Sequence, residues 1–99
     1  MLVTRYTRAP SPLDKNSEGK KNFLYARPYW EGREEDYGPY LWIIEVKKAQ
    51  FCILGKKGLG LEDAKWVECS SIPERKKLMG NYCTFFPEDV LDYVLVGKQ

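Results

Sequence analysis

A chain of 99 residues is one domain, and at that size folding buries roughly two-thirds of the unfolded surface, enough for one core and too little for a deep cleft between lobes. Hydrophobic residues at 43% and charged residues at 30% exclude a disordered chain, and a formal net charge of +2 does not force an acidic partner. There is no histidine, which removes Ser-His and Cys-His nucleophiles, His-ligated metals and His acid–base catalysis.

No apolar run reaches the length of a membrane span, and Arg5 and Arg8 stand where a signal peptide needs apolar residues. An intracellular protein with no membrane partner is therefore expected. Cys52, Cys69 and Cys83 are an odd number without a C-x-x-C, which argues against a disulfide framework and a zinc ribbon and leaves a single disulfide open. Asn and Gln are few (Asn16, Asn22, Asn81, Gln50, Gln99) beside 16 basic and 14 acidic residues, a balance that predicts a hot environment.

Along the chain, Leu2 to Arg8 alternates bulky and polar residues as an edge strand does. Ala9 to Lys21, rich in Pro, Ser and Gly, is a loop, and its length marks it as functional or mobile. Asn22 to Trp30 alternates as a strand that ends at a sheet edge, because Pro28 lacks a donor. Glu31 to Pro39 is an acidic turn. Tyr40 to Leu54 (YLWIIEVKKAQFCIL) is the densest apolar stretch, aromatic and β-branched, and predicts a central β-hairpin turning at Lys47 to Gln50.

Gly55, Gly58 and Gly60 close that hairpin; Leu61 and Ala64 suit the start of a short helix, while Lys65, Val67 and Cys69 alternate, which favours a strand over Lys65 to Cys69. Ser71 with Glu74 reads as a capping box, Pro73 suits a first turn and Gly80 a C′ position, so a short helix is predicted over Ile72 to Met79. Asn81 to Phe86 is a further strand. Pro87, Glu88 and Asp89 then open a predicted helix with Val90, Leu91, Val94 and Leu95 as its apolar stripe and Gly97 as its stop. The expected fold is one α+β domain over residues 1–99, an antiparallel sheet of four to six strands with the C-terminal helix packed on one face.

With FLYARPYW and YLWIIEVKKAQFCILGKKGLG as its core phrases, and in its length and Tyr/Lys/Glu-rich style, the chain resembles small proteins of unassigned function from the lipothrixviruses and rudiviruses. These are filamentous viruses of hyperthermophilic archaea. The resemblance covers the whole chain and implies a protein of the archaeal host cytoplasm or the virion. It carries no functional residue to transfer.

Two patterns carry chemistry. Glu45-Val46-Lys47 at a strand exit, with Asp36 upstream, resembles the D…E-x-K pattern of metal-dependent nucleases, where two carboxylates hold Mg²⁺ and the lysine steadies the attacking water. The bland alternative is a solvated charge pair, and the helix and Pro that accompany the nuclease pattern are missing. Arg5, Tyr6, Arg8, Tyr25, Arg27, Tyr29, Trp30 and Arg33 interleave aromatic and basic residues, the physical form of a surface that stacks bases and neutralises phosphates. Here the bland alternative is that the rings fill the inner face of a sheet. Gly55 to Gly60 lacks phosphate-loop spacing, and Arg75, Lys76 and Lys77 suit the end of a helix without further role.

The leading expectation is a non-catalytic binding protein that engages a host or viral macromolecule, with no cofactor and no metal. Nucleic-acid binding through the aromatic and basic residues is the alternative, and a nuclease using Asp36, Glu45 and Lys47 the third reading. Fourteen aromatics (3 Trp, 7 Tyr, 4 Phe) exceed what one small core hides, which adds a homodimer to the expectations.

Overall fold

The structure, a computed structural model, describes residues 1–15, 21–28, 38–55 and 64–98. Among these, seven strands run in chain order: β1 (Leu2–Thr7), β2 (Leu24–Ala26), β3 (Tyr40–Val46), β4 (Ala49–Ile53), β5 (Lys65–Cys69), β6 (Leu78–Phe85) and β7 (Val90–Lys98). Two single turns of 3-10 helix, Arg75–Lys77 and Pro87–Asp89, precede β6 and β7. No α-helix forms among the described residues, and none is long and apolar enough to cross a membrane.

The strands make two antiparallel sheets, β1-β3-β7 and β2-β6-β4-β5. Thr4 and Arg27 join them by exchanging both backbone hydrogen bonds, at 2.9 and 2.8 Å. Alternation sends Val3, Trp42, Ile44 and Val46 of the first sheet and Leu24, Ala26, Ala49, Phe51, Cys83 and Phe85 of the second into one core. Phe51, Phe85, Leu24 and Ile44 are wholly buried, each contributing roughly 1.5–3 kcal/mol.

The expected α+β class is corrected to all-β. The C-terminal helix is instead strand β7. Pro87, Glu88 and Asp89 do start a helical turn with two acids at its head, but Val90 leaves it in extended conformation (φ −73°, ψ 127°). Two causes combine. Val90, Tyr93, Val94 and Val96 are β-branched or aromatic, and β3 offers β7 a full ladder from Val46 to Tyr40. The apolar stripe of a helix was real in spacing, yet Tyr93 and Val96 extended apolar character around the whole circumference, which a strand edge accommodates equally.

The helix over Ile72 to Met79 shrinks to its single turn for a similar reason. Its cap is Glu74 without a side-chain hydrogen bond, so the Ser71–Glu74 box never closes. Leu78 is taken into β6, where it pairs with Ile53 and packs on the core. Gly80 does adopt positive φ (+80°), but inside β6, where the strand bulges between the Phe51–Cys83 and Ile53–Leu78 pairs.

The central hairpin is also corrected. Tyr40–Val46 and Ala49–Ile53 are strands, but they do not pair. The chain breaks at Lys47 and Lys48 and passes from one sheet to the other, so β3 pairs with β1 and β7 while β4 pairs with β5 and β6. Crossing between the sheets lets the apolar inner faces of β3 (Trp42, Ile44, Val46) and β4 (Ala49, Phe51) meet in one core, with each strand central in its own sheet.

Candidate functional site

Among the described residues, the outer face of the four-stranded sheet holds a continuous row of aromatic rings. Pairing of Tyr25 with Thr84, Thr84 with Gln50, Gln50 with Glu68 and Cys52 with Trp66 places these residues on one side of the sheet. Tyr82 joins them two residues before Thr84, and Phe23 two before Tyr25. Four rings then touch in sequence: Phe23 and Tyr25 edge-to-face with centroids 5.6 Å apart, Tyr25 and Tyr82 at 5.7 Å, and Tyr82 and Trp66 tilted at 5.9 Å. Tyr82 is 44% exposed and Trp66 51%, so this row faces solvent and is not core.

The row has positive charge at its Phe23–Tyr25 end. The Lys21 ammonium stands 5.6 Å from the Phe23 ring and 5.2 Å from that of Tyr25, and it reaches the Tyr25 hydroxyl at 3.3 Å. At the far end Lys65 precedes Trp66 but pairs with Ile53, which packs on the core, so alternation turns it to the other side of the sheet from the row. The acid on this face, Glu68, is matched by Lys48 at 3.0 Å, which raises the Lys48 pKa through its hydrogen bond and charge. Thr84 donates to Gln50 Oε1 at 3.2 Å, making a polar floor beside the rings. Gly80 seats Tyr82: a Cβ there lies 3.2 Å from the Tyr82 ring.

Of the aromatic and basic residues singled out from sequence, Tyr25 belongs to this row, and Arg27, two positions on, shares its side of the strand and is half-buried. Arg8 is exposed beyond the end of β1. Arg5 is not on the surface at all. It is 3% exposed, and its guanidinium donates to the carbonyls of Pro12 (3.2 Å), Tyr25 (2.5 Å) and Asp14, tying the 9–15 loop and β2 to β1. Tyr6 is buried. Tyr29, Trp30 and Arg33 lie outside the described residues, as does Asp36. Tyr82 and Trp66 were missed, although N-Y-C-T-F and K-W-V-E-C each put an aromatic in the polar phase of an alternating strand, which is the signal of an outward ring.

The Glu45 and Lys47 pair is not brought into a cleft. Glu45 is exposed on the outer face of β3, opposite Leu2 on one side and Asp92 on the other, in a hollow of about 90 Å³ lined also by Ile43, Tyr93 and Val94. That volume falls short of the roughly 300 Å³ at which small-molecule pockets begin. Lys47 lies past the strand, its N–H given to the Asp89 carbonyl at 2.9 Å. Among the described residues no group of three Cys, Asp or Glu side chains converges as metal ligands.

Comparison with protein-family models, curated proteins and solved structures finds no match.

Proposed function

We propose that the protein is a non-catalytic binding module that stacks unpaired nucleic-acid bases on the outer face of its four-stranded sheet. The setting we propose with it is that of an archaeal filamentous virus and its host. One observation carries the reading: the continuous row Phe23, Tyr25, Tyr82 and Trp66, half-exposed at its Tyr82–Trp66 end and bounded by Lys21 at its Phe23–Tyr25 end. Rings on a sheet offer π-faces to any base, and the Lys21 ammonium at the end of the row meets a backbone phosphate that runs past it. A duplex hides its base faces, so single strands are the substrate class.

Fluorescence anisotropy of labelled single-stranded DNA and RNA oligonucleotides, with divalent metal chelated, tests this. Binding should weaken steeply as salt rises, and Tyr82→Ala or Trp66→Ala should each cost roughly 1–3 kcal/mol. Glu45→Gln should bind as the parent does. Absence of binding to any single strand at low salt overturns the proposal, and so does metal-dependent cleavage lost in Glu45→Gln.

A further inference from the structure

We infer that β7 is a self-association edge, on which a second copy of this chain docks its own β7 antiparallel. The backbone decides which way the edge points. Thr4 gives both of its backbone bonds to Arg27, so its neighbours Val3 and Arg5 aim theirs at β3, at Ile44 and Trp42. Ile43 and Glu45 therefore aim at β7, where they meet Val94 and Asp92. Tyr93 and Leu95 are left aiming away from β3, where no strand lies among the described residues. A side-chain contact agrees: the Tyr93 N–H is taken by the Asp92 carboxylate at 2.8 Å, a local stand-in for a strand carbonyl.

The side chains tell what kind of partner fits. Tyr93 and Leu95 lie opposite inner-face residues and are 53% and 42% exposed; Val94 lies opposite outer-face Ile43 and is 56% exposed, with Val96 at 52%. Apolar surface is thus open on both faces of one strand. A surface laid on either face covers half of it, whereas another strand continues both. Strand β5, which also has no second partner among the described residues, carries a charge in each phase, Lys65 and Glu68, a common guard against strand pairing. Between Val90 and Gly97, β7 has one charge, Asp92.

A second copy satisfies this edge by symmetry. A twofold axis at Val94 sets Tyr93 opposite Leu95 of the partner subunit and Leu95 opposite Tyr93 of the partner subunit, so the outward-aimed donors and acceptors of each edge meet one another. The same axis sets Val94 against its own mate and Asp92 against Val96 of the partner subunit, which keeps the two carboxylates apart and closes the assembly at two.

Sedimentation and light scattering across a range of concentrations test the inference. The parent should reach twice its 11.6 kDa mass. Val94→Lys puts two ammonium groups on the axis, and Leu95→Pro deletes an N–H that β3 does not use; each should weaken association at least tenfold with the sheet circular dichroism retained. Val67→Lys, the same exchange at an exposed valine of β5, should leave the dimer intact. A parent that stays monomeric at every concentration overturns the inference. So does a dimer unchanged by Val94→Lys, or one broken by Val67→Lys alone. Because the edge lies on the sheet opposite the aromatic row, mass and oligonucleotide binding fail or succeed separately.

Discussion

Gly38 shows how little room a single residue can have. Its φ of +119° is strained for any L side chain, and a Cβ there would lie 2.1 Å from the Thr7 carbonyl oxygen, where nothing can yield but backbone. Gly38→Ala should therefore destabilise by more than about 2 kcal/mol in chemical denaturation, well beyond an average substitution. Arg5 is the opposite case, a long side chain with every direction used. Arg5→Lys keeps the charge but not the planar fork, and leaves buried carbonyls unmatched at about 1–3 kcal/mol each; a loss of at least about 2 kcal/mol in the same assay is expected. Cys83 brings a dependence on pH. Burial pushes its thiol from 9.0 up to about 12. The unfolded chain ionises this group first, so the folded state holds the extra proton and stability falls as pH rises from 9 towards 12. Denaturation midpoints of the parent should drop more steeply across that window than those of Cys83→Val.

Elements differ in how plainly the sequence announces them. Strand β4 follows from its apolar run and β1 from alternating bulky and polar residues, whereas β5 mixes both characters in each phase (Lys65, Val67 and Cys69 against Trp66 and Glu68) and stands against a short helix beginning at Leu61. The class of β7 was not legible, since Val90, Leu91, Val94 and Leu95 fit a helical stripe as well as a strand, and what decides is a partner forty or more residues away in β3. The pairing of β3 and β4 was equally hidden: a short polar break at Lys47 and Lys48 serves a hairpin or a crossing between sheets. Their places make a prediction. Strand β3 is paired on both edges, so amide hydrogen exchange should be slowest at Ile43 and Ile44, while the outward Leu95 amide exchanges quickly in dilute protein and becomes protected as concentration rises.

At the scale of the whole molecule, the aromatic site was legible only in part. Tyr25 could be singled out because it sits in an aromatic-basic phrase; Tyr82 and Trp66 come from strands that are remote in sequence, and only sheet order brings their rings together. The basic residues misled for a physical reason. Arginine serves phosphates on a surface and carbonyls in a core with the same guanidinium, and at Arg5 the core has it.

The crossing at Lys47 and Lys48 also sets how the chain finds its fold. Since neighbouring strands β3 and β4 never pair, the first sheet is stitched by contacts as remote as Leu2 with Glu45 and Tyr40 with Lys98. Closing such loops costs chain entropy before any of the ladder is gained, so refolding should run in roughly the millisecond-to-second range of all-β domains, not the microseconds of helical ones. A stretch that is the most apolar in the sequence thus waits, exposed, for partners at the two ends of the chain, and the early refolding species should be the one that aggregates.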